Sequence, residues 1–251
     1  MAPEESPPAV RVGCAGWSVP KEHGARFPQE GSHLERYAGR FPAVEINSSF
    51  YRPHRPATYA RWAASVPPGF RFAVKVPREI THGHRLADPE EPLDRFLAEC
   101  GALGEALGPL LVQLPPSLAF DAVVAGPFFA ALRERFAEEV VCEPRHPSWF
   151  RPDAEQVLVA HEVARVAANP APVPSAAQPG GWEGLVYYRL HGSPRVYYSA
   201  YSEPYLAALA NTLRAAARAA PVWCIFDNTA QGAATDDALS VIKRLRNGEA
   251  P

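Results

Sequence analysis

The sequence predicts an α/β protein, a TIM-type (β/α)8 barrel that turns irregular after its sixth strand. Three observations carry this. The 251 residues match the roughly 250 that such a barrel needs. Short apolar runs alternate with longer Ala/Leu/Arg-rich stretches of helical period. Isolated polar residues recur at the carboxyl ends of the apolar runs.

Strands are expected at Val10–Gly16, Ala43–Asn47, Arg71–Val76, Leu110–Leu114, Glu139–Glu143, Ala164–Ala168, Leu185–Gly192 and Val222–Asn228, and eight such units suggest closure. Helices are expected at Ser32–Arg40, Pro56–Ser65, Pro92–Leu107, Val123–Arg135, Ala154–Glu162, Pro204–Ala219 and Thr235–Asn247. Ser32 with Glu35 three residues on has the form of a capping box, and Thr235 is a second expected N-cap. The segment Asn169–Gly181 holds too much Pro and Gly for a helix and reads as a loop. No linker divides the chain, so one domain spanning residues 1–251 is expected, with 1–9 flexible. An open doubly wound sheet would show the same periodicity, and closure is the preferred reading.

Composition narrows the function. Twenty-five Lys and Arg against 27 Asp and Glu give a net charge of −2, which does not favour a nucleic-acid partner. No apolar run could span a bilayer and the start lacks the pattern of a signal peptide, so the expectation is a cytoplasmic protein without a membrane partner. Cys14, Cys100, Cys142 and Cys224 are too dispersed for a zinc motif and are read as buried, reduced thiols. Lys75 is one of only three lysines, with Lys21 and Lys243, and it sits inside an apolar run.

Residues two apart on a strand share a face. Glu45 pairs in this way with Asn47, Glu143 with Arg145, and Arg189 with His191. Lys75 and Gln113 are lone polar residues in their runs, and Asp227 and Asn228 end the last one. These positions gather at one rim, the end where barrel enzymes place their chemistry. They could form a polar plug of mutually paired charges; the functional reading is preferred because six strands deliver hydrogen-bonding groups to one end.

The segments Gly13-Cys-Ala-Gly-Trp-Ser18, Val44-Glu-Ile-Asn-Ser-Ser-Phe-Tyr51, Phe72-Ala-Val-Lys-Val-Pro77 with Thr81-His82, Val112-Gln-Leu-Pro-Pro-Ser117, Glu143-Pro-Arg-His-Pro-Ser-Trp149, Arg189-Leu-His-Gly192 and Phe226-Asp-Asn-Thr229 run in order along the chain. In them the sequence resembles the YecE-like family, domain of unknown function 72. The resemblance implies a TIM-type barrel and no particular activity. Cys14 and Ala15 stand where that family commonly has Thr-Ser, and Asp227 stands where Asn is frequent.

The site expected from the residues places Glu45, Lys75, Glu143 and His191 in catalytic roles, a carboxylate as general base and His191 as acid. Asn47, Gln113, Arg145, His146, Arg189, Asp227 and Asn228 would bind substrate, and Trp17 and Tyr51 would wall the pocket. Arg145 and Arg189 offer bidentate forks and Lys75 a point charge, which suits a small anionic ligand bearing phosphate or carboxylate and the acid–base chemistry of a hydrolase or lyase. Lys75 could also form a Schiff base. Three alternatives compete with this reading. Glycosidase carboxyls commonly lie on the fourth and seventh strands, where this chain has Gln113 and His191. A metal-assisted phosphoesterase could recruit Glu45, His82, His84, Glu143, His146 and His191, but the neighbouring arginines oppose a cation. A phosphometabolite or nucleic-acid-end binder without turnover would use the same rim. Neither metal nor cofactor is expected, and nothing in the sequence fixes the oligomeric state. Elemental analysis of the purified protein should therefore find no stoichiometric transition metal; about one zinc, manganese or iron per chain would favour the phosphoesterase.

Overall fold

A computed structural model describes residues 10–247; the expected flexible segment 1–9 lies outside them. Ten strands are formed: β1 (Val10–Cys14), β2 (Ala43–Ile46), β3 (Arg71–Lys75), β4 (Leu107–Gln113), β5 (Val140–Glu143), β6 (Val163–Arg165), β7 (Ala167–Asn169), β8 (Gly180–Gly181), β9 (Val186–Leu190) and β10 (Val222–Phe226). All eight expected strands are present, each within a few residues of its expected bounds. The seven α-helices are α1 (His33–Ala38), α2 (Pro56–Ala64), α3 (Glu90–Cys100), α4 (Ala122–Arg135), α5 (Pro152–Ala160), α6 (Glu203–Ala216) and α7 (Ala233–Asn247).

Three boundaries differ from expectation. Thr235 is not an N-cap but lies inside α7, whose helix begins at Ala233. The long helix expected from Pro92 to Leu107 ends at Cys100 and is followed by a tight turn, because Gly104 adopts φ +55, ψ −132 and breaks the helix. The sixth strand is divided into β6 and β7. By contrast the capping box at Ser32 is complete: the Ser32 hydroxyl accepts from Glu35 N, and the Glu35 carboxylate accepts from Ser32 N.

The strands form two sheets, β2-β3-β4-β5-β6-β8 and β1-β10-β9-β7, parallel except where β8 runs against β6. The strands of this TIM-type fold thus form two separate sheets, which approach each other along two seams with local links and no continuous ladder. At one seam the chain passes directly from β6, paired with β5, to β7, paired with β9. At the other, β1 comes so close to β2 that Gly13 has no room for a Cβ against Ala43 O. Cys14 N donates to the Tyr37 hydroxyl at 2.8 Å, and that hydroxyl donates to Ala43 O at 3.0 Å. One bridge then forms, Ala15 to Glu45, with Gly16 N donating to Glu45 O at 2.9 Å.

The Asn169–Gly181 segment is a loop, as its proline content requires, apart from a short 3-10 turn at Pro174–Ala177 and the two-residue β8. Arg165, paired with Glu155 at 3.0 Å and donating to Ser175 O and Gln178 O, holds it against the wall.

Strand alternation yields two apolar layers. Outward residues such as Val44, Phe72, Val112 and Phe226 meet the helices, while Ala43, Ala73, Leu111, Val141, Ala164, Tyr187, Trp223 and Ile225 fill the barrel interior. The four cysteines are buried and unpaired with one another. Among the described residues, no helix is long and apolar enough to cross a membrane.

The closeness of the β1–β2 seam rests on Gly13, where a Cβ would lie 2.2 Å from Ala43 O. Gly13→Ala should therefore destabilise the fold by about 1 to 3 kcal/mol, read as a lower denaturant midpoint; an unchanged midpoint would show that the seam yields without cost.

Candidate functional site

Above the apolar floor, the inward-facing positions of β2, β3, β5 and β9, and those just beyond β9 and β10, become polar. Glu45, Lys75, Glu143, Arg189, His191 and Asp227 are all buried, and Arg189 has no exposed surface. The parity expected from the sequence is thus realised in space, with every one of these residues at the carboxyl end of its strand.

Arg189 is the hub. Its Nε donates to Glu45 Oε2 at 3.0 Å, Nη2 to Glu45 Oε1 at 2.6 Å and Asp227 Oδ2 at 3.2 Å, and Nη1 to Glu143 Oε2 at 2.6 Å. A fork that spans Glu45 in two parallel bonds and still reaches two more carboxylates is a task lysine cannot perform. With four of its five N–H groups committed to these carboxylates and no exposed surface, Arg189 is not presented to a rim ligand, contrary to the expectation that it binds substrate.

His191 sits between two acids. Its Nε2 is 2.8 Å from Glu143 Oε1 and its Nδ1 is 3.0 Å from Asp227 Oδ2. Burial opposes the imidazolium, but Glu143 and the hydrogen bonds to Asp227 and Glu143 outweigh it and raise the pKa above 6.5. With burial working the other way, Arg189, Arg145 and His191 hold Glu143 well below the ordinary carboxylate range, and Arg189 and His191 lower Asp227. Arg145 completes the upper edge, 2.8 Å from Glu143 Oε1 and 3.1 Å from His191 Nε2; a quarter of its side chain is exposed and its Nε has no partner.

Lys75 is different. It is 5% exposed, and its Nζ lies 4.0 Å over the Phe50 ring. Among the described residues, no carboxylate stands within ion-pair distance of it and it makes no side-chain hydrogen bond. Burial and then Arg189 lower its pKa from 10.5 to about 8, against the pull of Glu45, Glu143 and Asp227.

Other expected site residues divide. Asn47 reaches the cluster, its amide 3.4 Å from Asp227 Oδ1 and its own buried Oδ1 without a partner. Gln113 is half-buried opposite Glu143 in the ladder. Tyr51 is 71% exposed, and the pocket that it lines with Phe50 and Pro77 includes none of the charged cluster. Three more of the expected residues face away from the cluster. Trp17 packs on Trp62 and Phe72, on the helix side of the wall. His146 turns to its own loop, its Nδ1 accepting from Ser148 N. Asn228, one residue out of phase with Asp227, faces outward and donates to Ser199 O and Asp237 Oδ2.

Sequence reasoning did not single out Tyr187 or Phe50. The buried Tyr187 hydroxyl donates to Glu45 Oε2 at 3.0 Å, and burial and then Glu45 raise its pKa so that it keeps its proton. The 187–189–191 alternation would have disclosed it. Phe50 lies in the turn after β2, where strand parity gives no guidance. The segment after β9 also comes close to the site: the chain folds back so that the Tyr197 ring meets His191 edge-on at 5.9 Å.

No group of three or more His, Cys, Asp or Glu among the described residues is arranged to hold a metal ion. The donor set gives the reason, because Glu45, Glu143 and Asp227 already surround a guanidinium. Cys14 and Ala15 contribute no hydroxyl: the Cys14 thiol points outward, 3.6 Å from Ala234 O.

Two substitutions should separate the members of this cluster. Arg189→Met strands three carboxylates and should cost roughly 3 to 5 kcal/mol. Lys75 charges more readily in the unfolded chain, so its ammonium costs the fold stability below pH about 8, and that cost fades as pH rises towards 10.5. Lys75→Met at pH 7 should accordingly leave unfolding free energy unchanged or raise it by up to about 3 kcal/mol. Chemical denaturation measures both; comparable losses in the two variants would mean that Lys75 is part of the plug.

Comparison with known proteins extends this picture. The E. coli K12 protein YecE is 30% identical over 152 residues, 59% of this chain and 53% of that protein. YunF of Bacillus subtilis is 26% identical over 155 residues, 57% of this chain and 53% of its own length. The chain thus spans about half the length of these curated relatives. Among solved structures, a DUF72 family protein (EF0366) from Enterococcus faecalis V583 superposes with a TM-score of 0.80 at 24% identity, over 95% of this chain and 96% of that one. One from Thermotoga maritima (TM1631) gives 0.76 at 26% identity, over 94% and 99%. The family model for the protein of unknown function DUF72 matches residues 11–251, and the chain belongs to that family.

Proposed function

We propose that the carboxyl-terminal rim binds a small anionic ligand, bearing phosphate or carboxylate, and performs acid–base chemistry on it. The observation that carries this reading is the uncompensated charge of Lys75. Three carboxylates, Glu45, Glu143 and Asp227, face Arg189, Arg145 and His191, whose pKa Glu143 and the hydrogen bonds to its two carboxylate neighbours raise against burial. Among the described residues Lys75 has no carboxylate within ion-pair distance, and its Nζ lies over the Phe50 ring. A ligand carrying negative charge supplies the missing partner and relieves the desolvation of the ammonium.

In this reading Lys75 and Arg145 contact the anion, Asn47 adds an amide, and Arg189 positions Glu45, Glu143 and Asp227 without touching the ligand. His191 is the proton donor, and its two carboxylate neighbours fix the ring and stabilise its charged form. Glu45 is bound through both oxygens by Arg189, which makes it a poor general base and corrects the role expected for it. The same commitment of Glu45 and Glu143 argues against a glycosidase pair and against metal ligation by these acids. A protein that binds the ligand without turnover would use the same contacts. A cytoplasmic setting is supported by four cysteines with no disulfide among them.

Sulfate keeps its charge from pH 7 to 9 and serves as a probe. At about tenfold over its dissociation constant it should stabilise the parent protein at pH 7 by about 1.4 kcal/mol. The effect should weaken at pH 9, above the Lys75 pKa of about 8, since binding requires the ammonium. Thermal melts of the parent and Lys75→Met would measure this; equal sulfate stabilisation in both proteins, or at both pH values, would overturn the reading.

A further inference from the structure

The geometry points to Lys75 as a covalent nucleophile that forms an imine with an aldehyde or ketone group of the anionic ligand. The inference rests on the anion-binding reading for the substrate's charge and adds the chemical identity of its reacting group.

A lysine that only balances charge is expected to touch a carboxylate, and this one does not. The cluster contains three carboxylates, yet all are taken by Arg189, Arg145 and His191, and the Lys75 amine is directed instead at the face of Phe50. An aromatic ring accepts no proton and forms no strong hydrogen bond, so it leaves the nitrogen lone pair free once the proton has gone. Burial beside Arg189 eases that loss, since the amine is held at a pKa of about 8, where an appreciable fraction is neutral near physiological pH. Lys21 and Lys243, by contrast, are exposed.

The remaining parts of the reaction are on the same face of the barrel. The lone pair of Lys75 Nζ attacks the carbonyl carbon, and the C=O π pair moves to oxygen, which takes a proton from the His191 imidazolium. The resulting carbinolamine nitrogen gives up a proton to the Asp227–His191 pair, 3.0 Å apart. The same pair returns it to the hydroxyl, which leaves as water while the nitrogen lone pair closes the C=N bond. One carbonyl, one amine and one proton from His191 become one iminium and one water, which leaves His191 neutral, with no change of oxidation state. Arg145, exposed at the edge, holds the carboxylate or phosphate of the same molecule.

Reductive trapping tests this. The full chain is incubated with pyruvate and sodium cyanoborohydride at pH 7.5, and intact mass and peptide mapping locate the adduct. One reduced pyruvyl group is expected on Lys75, at least tenfold above labelling of Lys21, Lys243 or the chain's amino terminus. Lys75→Arg should lose the adduct while retaining a cooperative thermal unfolding transition, which separates a missing nucleophile from a misfolded protein. Acetone, which has the ketone without the carboxylate, should label Lys75 at least tenfold less. Failure of Lys75 to label selectively, with sulfate stabilisation intact, overturns the imine and leaves the anion site standing. Selective labelling by pyruvate and acetone alike, with no sulfate effect, sustains the imine and overturns the anion site.

Discussion

A single guanidinium, that of Arg189, occupies the centre of the barrel mouth, and the arrangement of every neighbouring charge follows from it. Its planar fork requires acceptors in one plane, and Glu45, Glu143 and Asp227 supply them from three different strands or strand ends. None of those carboxylates could be buried alone, because each would forfeit hydration worth several kcal/mol. Once fixed, Glu143 and Asp227 trap His191 from both sides and set its charge. What the fork does not reach, the Lys75 amine, is left with a ring for a neighbour. The structural plug and the reactive group are therefore one construction, with the first creating the conditions for the second.

Much of this was legible in the sequence because strand parity is rigid. A polar residue recurring every second position at the end of an apolar run can face only the interior or the helices, and Glu45, Lys75, Glu143, Arg189 and His191 all fell on the interior side. The same rule explains the failures. Asn228 follows Asp227 directly and so had to face outward, while Trp17, His146 and Phe50 lie past the strand ends, where side-chain direction depends on turns that composition does not specify. Donor allocation was also illegible: Arg145 and Arg189 look alike in sequence, yet the first is a quarter exposed and the second wholly consumed. The split of the sixth strand was hidden because Val163–Asn169 is uninterrupted in pattern and divides only by its choice of partner.

The identity of residue 227 bears on the same balance. An amide there, frequent in the resembling family, would offer Arg189 one neutral acceptor and leave His191 with a single ionic neighbour. The carboxylate of Asp227 brings a third negative charge, and with it a reason for the imidazolium to persist at the base of the rim. In that respect this chain can keep a proton on His191 at higher pH than an asparagine-bearing relative of the same geometry.

The two seams in the wall divide the chain unequally in time as well as in space. Strands β2 to β6 are consecutive and pair with near neighbours, so their sheet closes only modest loops as it forms. The other sheet must bring β1, from the beginning of the described chain, against β10, from near its end. Contacts of such sequence separation are entropically late. Since Glu45 is on one side of that division and Arg189 and Asp227 on the other, the charged centre is completed only at the moment of closure, and any chain that halts short of it exposes three carboxylates to water instead of burying them unpaired.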